Sequence, residues 1–532
     1  MHDHASLRQR GLNGWRVAER LFDAAFGPGL NPLRHLGAIG FLAFWLLAAS
    51  GIVLYALFDT SASGAWRSID ALRDVPLGLG LVLRGVHRYS ADLMVLAMGL
   101  HVVREWLHGH ERGFRRFSWL TGVPLVVFVF VAAVVGFWLN WDQLGQYSAV
   151  ASAEWIDALP FMPTPMARNF LGSAAVSDRL FSLFVFVHIG VPLLLLFGLW
   201  FHIQRITRAA VLPPRALLLG TLGTLVVLTL AVPVTSADPA SLARVPAELR
   251  LDWILLFLHP LTAATSPGFA WGLVTLTLLT LFALPFLPTR VPRAPVALVD
   301  PGNCSGCQRC FADCPYAAIT MVPHPQRRAG HLLAAVDADL CAGCGICAGA
   351  CPSSTPFRHT ATLVTGIDMP QLPVGALRAQ LRQALDAQRA AGIAQPLVAF
   401  GCDHGAASAR AARGVADTST FSLLCSGQLP PSFVEYALRD GAAGVLVAAC
   451  PDGGCEFRLG ARWTAERLQG LREPHLRASV PAERVEVVHA GPGDEALVVT
   501  ALARLRARVR SLAAAGPEIP TPWATAREPA HG

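Results

Sequence analysis

Cys304, Cys307, Cys310 and Cys314 are separated by two, two and three residues and followed by proline, and Cys341, Cys344, Cys347 and Cys351 repeat the pattern. Thiolates so spaced are iron–sulfur ligands, and in the doubled pattern the fourth cysteine of each run serves the other cluster. The spacing predicts one [4Fe–4S] on Cys304, Cys307, Cys310 and Cys351, and a second on Cys341, Cys344, Cys347 and Cys314. A zinc ribbon uses two pairs and would leave four of these thiols unexplained. Cys402, Cys425, Cys450 and Cys455 complete the twelve, none of which precedes residue 300.

In the first half the candidate ligands are histidines. His87 and His101 are fourteen residues apart, as are His188 and His202. At about 100° and ~1.5 Å per residue, fourteen residues return to within ~40° of the same helix face while rising ~21 Å. Two parallel-running helices would thus pair His87 with His188 and His101 with His202 at two depths, which suits two b-type haems. A single intramembrane histidine could equally be a buried hydrogen-bonding group or a proton relay. Four at one period could not easily be, and Gly37 and Gly51, and Gly122 and Gly136, share the period. Glycine lets a flat macrocycle approach a helix backbone; ordinary small-residue packing does not explain the shared step.

The elements that must position these residues are apolar. Of 532 residues 53% are hydrophobic and 15% charged, where soluble domains carry roughly a quarter charged, so a purely soluble or disordered chain is excluded. Six runs have spanning length: Leu36–Phe58, Leu77–Val103, Leu120–Leu139, Leu180–Phe201, Ala216–Val234 and Gly268–Leu287. No cleavable signal pattern precedes the first. Fourteen arginines fall in alternate connections, including Arg290 and Arg293. The opposite loops hold Arg67, Arg73, Arg168, Arg179, Arg244 and Arg250, with Arg84 and Arg88 at the mouth of the second span. The bias predicts an integral membrane protein with both termini cytoplasmic. The net charge of +7 comes from scattered arginines without a basic block, so no nucleic-acid partner is expected.

Residues 10–260 resemble the cytochrome b family of quinol-oxidising bc-type complexes through RGVHRYSADLMVLAMGLHVVREW, FRRFSWLTGV, VGFWLNWDQLGQY and FVHIGVPLLLLFGLWFHIQRITR. The resemblance implies an outer haem on His87 and His188 and an inner one on His101 and His202. It places Arg84, Arg88, Arg104 and Arg205 at the haem propionates, which a guanidinium suits; plain positive-inside charge is the alternative. The segment ADPASLARVPAELRLDWILLFLHP resembles the family's outer quinol-site loop, with Leu251-Asp252-Trp253 where the family has Pro-Glu-Trp-Tyr. Asp252 is thus a candidate proton acceptor, or the cap of a short interfacial helix. Asn140 stands where the family has proline, and no third span follows the loop.

Residues 288–303 read as a proline-rich exit linker, and the eight-cysteine segment resembles a bacterial two-cluster ferredoxin. Disulfides are disfavoured on the reducing side of the membrane. Residues 374–390 read as an amphipathic spacer helix. Apolar runs at Pro396–Phe400, Thr420–Leu424, Gly444–Ala449 and Val485–His489 alternate with helix-like stretches and predict a parallel α/β sheet. Cys402, Cys425 and Cys450 follow strand ends and Cys455 lies in the loop beyond, so four thiols can meet at one sheet edge. They suit a [2Fe–2S] cluster or zinc, unless they are separate buried cysteines. FGCDHG, LLCSGQL and GVLVAACPDGGCEFRLG resemble the delta-subunit family of methyl-viologen-reducing hydrogenase over about residues 395–510. That resemblance implies a [2Fe–2S] cluster and a flavin-containing heterodisulfide reductase as partner, although Gly405 replaces the second cysteine of the family's first motif. The basic helix 498–512 reads as a solvated face, with membrane contact or partner docking as alternatives.

The expected fold is a six-span, all-α cytochrome b-like bundle, then a small α+β ferredoxin fold and a small parallel α/β domain. Its parts are an N-terminal segment (1–34), a dihaem domain (35–212), two further spans with a quinone-site-like loop (213–290), a two-cluster domain (291–365), a helical linker (366–394), a [2Fe–2S] domain (395–514) and a disordered tail (515–532). The expected function is an oxidoreductase subunit carrying electrons between quinone or quinol and a cytoplasmic flavin enzyme, embedded in lipid and able to form a homodimer. The chain has no flavin or dinucleotide fingerprint, so chemistry on a soluble substrate is expected of the partner. A redox sensor or docking subunit without steady current is the alternative; a self-contained enzyme would need an open ligand position at the last cluster.

Overall fold

The structure is a computed structural model that describes residues 7–161, 165–170, 175–243, 248–288, 295–327, 330–354, 363–412, 415–451 and 453–514. The disordered tail expected at 515–532, residues 289–294 of the exit linker, and Arg244, Arg290 and Arg293 lie outside these residues, as does the side chain of Arg168. Two compact units are present: Met1–Arg205 with Ala209–Arg290, and Ile206–Arg208 with Val291–Gly532.

The first unit is helical: α1 (Leu7–Phe26), α2 (Leu36–Leu57), α3 (Leu79–His108), α4 (Arg116–Asn140), α5 (Gln143–Asp157), α6 (Asp178–Ile203), α7 (Arg215–Ala231), α8 (Leu258–Ala264) and α9 (Pro267–Ala283). All six apolar runs are helices. Among the described residues, four helical segments are both long and apolar enough to cross a membrane: Leu36–Leu57, Gly113–Asn140, Asp178–Ile203 and Pro267–Phe286. The other two miss for different reasons. Helix α3 has 30 residues but carries Arg84, Arg88, Asp92, Arg104 and Glu105, and α7 has only 17.

Helices α2 and α3 pack as one pair and α4 and α6 as another. Between the pairs lies a buried layer that includes Phe44, Met94, Val129 and Leu195. Met94 and Leu195 stand midway between the histidines of their helices, and Val129 midway between Gly122 and Gly136. Seven residues is about two turns, so the layer separates two histidine levels by packed apolar side chains.

In the second unit β1 (Leu298–Val299) pairs antiparallel with β4 (Ile367–Asp368), and β2 (Ile319–Pro323) with β3 (Leu332–Val336). The short helices α10 (Arg309–Ala312) and α11 (Ile346–Ala350) lie between these strands in sequence. The cluster-bearing fold therefore begins inside the expected linker and closes at β4, beyond residue 365. Next come α12 (Val374–Ala390), β5 (Leu397–Cys402), β6 (Thr418–Leu423), α13 (Ser432–Arg439), β7 (Gly444–Ala449), α14 (Gly460–Leu468), β8 (Val485–His489) and α15 (Glu495–Ala514). The four strands form one parallel sheet in the order β6-β5-β7-β8.

Two expectations change here. Helix α12 is not a free spacer: Val374, Leu377, Leu381 and Leu385 form a stripe buried against Val398, Phe400 and Val447. Helix α15 covers the opposite face with Val498, Leu502, Leu505 and Val509, against Leu397, Ala399 and Leu446. Both are charged on the outside, which hides their role in a composition reading, but a parallel sheet must be covered on both faces. Three of the four arginines of α15 form ion pairs: Arg504 and Arg508 with Glu486, and Arg506 with Asp417.

Candidate functional site

Each of the four periodic glycines stands against one of the four histidines. A Cβ on Gly51 would lie 3.1 Å from Cε1 of His87, one on Gly37 3.6 Å from Cε1 of His101, one on Gly136 2.9 Å from Cε1 of His188, and one on Gly122 3.1 Å from Cε1 of His202. Because α2/α3 and α4/α6 are antiparallel pairs, equal steps of fourteen on both members keep both contacts in register. The glycines thus make room for imidazole edges, a more specific task than admitting a macrocycle.

The Nδ1 atoms are held by the neighbouring helix. His188 Nδ1 lies 2.9 Å from the Ala132 carbonyl, which can only accept. His87 Nδ1 lies 3.0 Å from Ser50 Oγ, whose own proton goes to the Leu46 carbonyl at 2.5 Å. Both contacts assign the proton to Nδ1 and leave the Nε2 lone pair for a metal. Thr121 Oγ1 is 3.4 Å from His202 Nδ1. The rings of His87 and His188 have centroids 6.2 Å apart. An iron held by two imidazole nitrogens at about 2 Å, with ring centres about 1 Å further out, needs a separation of about 6 Å, so the residues fit the group. His202 lies within electrostatic reach of His101. Sequence reading missed Ser50 and Thr121. The available signal was a hydroxyl residue directly before glycine at 50–51 and 121–122.

The four arginines are engaged by protein groups. Arg84 donates to Asn140 Oδ1 at 3.2 Å, Arg104 pairs with Glu19 and Glu105, and Arg205 lies over the Phe117 ring. Arg88 pairs with Asp92 at 2.7 Å and with Asp252. Asp252 Oδ1 in turn accepts from the backbone N–H of Ile254 and Leu255, at 3.0 and 2.6 Å. Both oxygens of the candidate proton acceptor are therefore in use, one in a turn cap and one in an ion pair.

In the second unit the eight repeated cysteines are sorted around two cavities. One is lined by Cys304, Cys307, Cys310 and Cys351, the other by Cys314, Cys341, Cys344 and Cys347. Burial pushes the thiols of Cys310 and Cys344 up to about 12, and those of Cys314 and Cys347 upward. Such thiols are neutral at physiological pH, so a cluster held here would displace their protons, and its binding would add to folding stability. The Ala318 N–H donates to Cys314 Sγ at 3.3 Å, a contact of the kind that tunes cluster potential.

The last four cysteines meet at the carboxyl edge of the parallel sheet. Cys402 ends β5 and Cys450 follows β7, the adjacent strands at which the order reverses; that switch point is where open α/β sheets form sites. Their sulfurs are 3.5 Å apart. Cys425 and Cys455 complete the group, each within hydrogen-bonding reach of another member. Gly460 is required here, because a Cβ would fall 2.1 Å from Cys425 Sγ. At Gly405 a Cβ would meet the Ala490 carbonyl at 3.0 Å, so a second cysteine in the first motif would be crowded, and Cys455 supplies the fourth sulfur.

Comparison with known proteins agrees with this division. Residues 22–210 match the family model of cytochrome b/b6/petB, residues 303–355 that of the 4Fe-4S dicluster domain, and residues 397–513 that of the methyl-viologen-reducing hydrogenase delta subunit. A similar solved structure is described as a hyperthermophilic respiratory Complex III, with 20% identity over 48% of this chain and 75% of that one, and a TM-score of 0.38. The class is an integral membrane electron-transfer protein. Its chain joins a segment that matches cytochrome b, a match that implies haem b, to one that matches a 4Fe-4S dicluster domain, which implies iron–sulfur, and then to one that matches the hydrogenase delta subunit.

Proposed function

We propose that the protein is a six-span electron conduit between the quinone pool and a cytoplasmic flavin-containing oxidoreductase of the heterodisulfide reductase type. His87 and His188 hold the outer b haem and His101 and His202 the inner one. Cys304, Cys307, Cys310 and Cys351 hold one [4Fe–4S] cluster; Cys314, Cys341, Cys344 and Cys347 hold the second. Cys402, Cys425, Cys450 and Cys455 hold a [2Fe–2S] cluster. The groups supply one-electron chemistry; the protein's part is to orient ligands, exclude water and space the centres. Arg84, Arg88, Arg104 and Arg205 are assigned to the propionates, and Asp252 to the quinol proton on the outer side. Arginine placement supports cytoplasmic termini and cluster domains.

The observation that carries this reading is the fit of four glycines to four histidines, with an inter-ring spacing that suits iron. Anaerobic membranes containing the protein should show b-haem bands that a quinol analogue reduces or a quinone reoxidises. Haem that responds to neither removes the quinone link, and co-purification of the flavin subunit tests the partner.

A further inference from the structure

Asp313 precedes Cys314 directly, and Gly427 lies two residues after Cys425, so each belongs to a segment carrying a sulfur of a different site. One buried guanidinium joins them. Arg467, 1% exposed, donates to Asp313 Oδ2 at 2.6 Å and to the Gly427 carbonyl at 2.9 Å. Arg472 also donates to Asp313, with Nε 3.3 Å from Oδ2. The Gly427 N–H donates to Cys425 Sγ at 3.4 Å. Packing between the segments is equally close. Ile346, fully buried between Cys344 and Cys347, lies so near that a Cβ on Gly427 would meet its Cγ1 at 2.8 Å, and one on Gly460 its Cδ1 at 3.5 Å.

We propose that Arg467 is a positioning residue for electron transfer between the cluster on Cys314, Cys341, Cys344 and Cys347 and the four-thiol site, fixing their approach and raising the potential of both. The inference rests on reading both sites as iron–sulfur centres. In the step, one electron leaves the reduced [4Fe–4S] centre, which is thereby oxidised, and reduces the four-thiol centre; no bond breaks and no proton moves. Reduction adds negative charge beside a guanidinium withdrawn from water, where screening is weak. Asp313 and Glu466 pair with the two arginines; of these four side chains Arg467 is the most deeply buried and the one that reaches the Gly427 carbonyl, so its charge is the least screened beside the four-thiol segment and favours the reduced forms.

The test uses the detergent-solubilised full chain with its clusters, titrated anaerobically with dithionite and followed by EPR. At a poise where the four-thiol centre of the unmutated chain is half reduced, Arg467→Gln should lower its reduced-to-oxidised ratio about tenfold, a shift of about 59 mV for a one-electron couple. The cluster on Cys304, Cys307, Cys310 and Cys351 should not shift, and Arg467→Lys should recover most of the effect. A merely structural arginine would change cluster content and leave the potential of the loaded fraction unmoved. Should Arg467→Gln fail to fold, the reduced neighbour's relaxation enhancement of the four-thiol signal decides: it should vanish in Cys341→Ser and persist in Cys307→Ser. Unshifted potentials in loaded Arg467→Gln, enhancement surviving in Cys341→Ser, or only eight irons and no third signal would overturn the proposal. Haem without a quinone response would remove the proposed function and leave this result standing, because dithionite supplies the electrons.

Discussion

Gly136 and His188 meet edge to backbone: a Cβ at position 136 would lie 2.9 Å from Cε1 and 3.4 Å from Nδ1 of the ring. That contact sets the imidazole's position, and the Ala132 carbonyl sets its rotation. Gly136→Ala is expected to displace His188 and remove from reduced-minus-oxidised spectra the band of the haem proposed on His87 and His188, with that of the haem proposed on His101 and His202 retained. Gly122→Ala should do the converse through His202, at 3.1 Å. Gly37→Ala, at an ordinary contact distance of 3.6 Å from His101, should leave both bands.

Gly460→Ala would place a methyl group 2.1 Å from Cys425 Sγ. If the four thiols hold the proposed [2Fe–2S] cluster, the expected outcome is loss of its signal with the eight irons of the two proposed [4Fe–4S] clusters retained, measured by EPR and iron content on the same sample.

The stripe of α12 makes a stability prediction. Leu381 is fully buried against the sheet, so Leu381→Ala should destabilise the second unit by about 2–5 kcal/mol. Exposed Arg382 on the same helix should change stability by less than about 0.5 kcal/mol when replaced by alanine. Urea unfolding followed at the clusters compares the two; equal effects would return α12 to the status of a spacer.

Asp252→Asn keeps an oxygen for the turn cap and removes the charge that pairs with Arg88. If the carboxylate accepts a quinol proton, quinol-driven haem reduction should fall by about 10²-fold or more, while the dithionite-reduced spectrum stays unchanged. Stopped-flow spectra resolve the two, and an unaltered quinol rate would leave Asp252 with the cap and the ion pair alone.

The Arg506 hydrogen bonds hold the Asp417 carboxyl below its usual value. A depressed carboxylate contributes stability above its unfolded value of about 3.9 and loses it as pH falls through the folded value. Arg506→Gln should therefore be less stable than the unmutated chain at neutral pH, and the difference should vanish in acid. Both side chains are only partly buried at the surface, where solvent screens the pair, so the neutral-pH difference should stay under about 1 kcal/mol, measured by denaturant midpoints across pH.

Candidate ligand sets stand out in the sequence because metals require particular atoms at particular steps. Two cysteine runs of identical spacing, two histidine pairs fourteen apart and three apolar runs each followed by a thiol can all be read without coordinates. The secondary elements followed from the same periodicities; β7 and β8 span the residues that their apolar runs mark. What the sequence alone did not decide is who stands beside whom. Long-range neighbours depend on helix pairing, strand order and side-chain rotamers, which local spacing does not encode. Only the tertiary structure set Gly136 against His188, aligned β5 and β7 so that Cys402 and Cys450 meet, and turned α12 and α15 into the two covers of the sheet. It alone brought Arg467 from α14 to Asp313, 154 residues away. A lone arginine carries no signal in composition, and its significance arises when burial removes the water that would otherwise screen it.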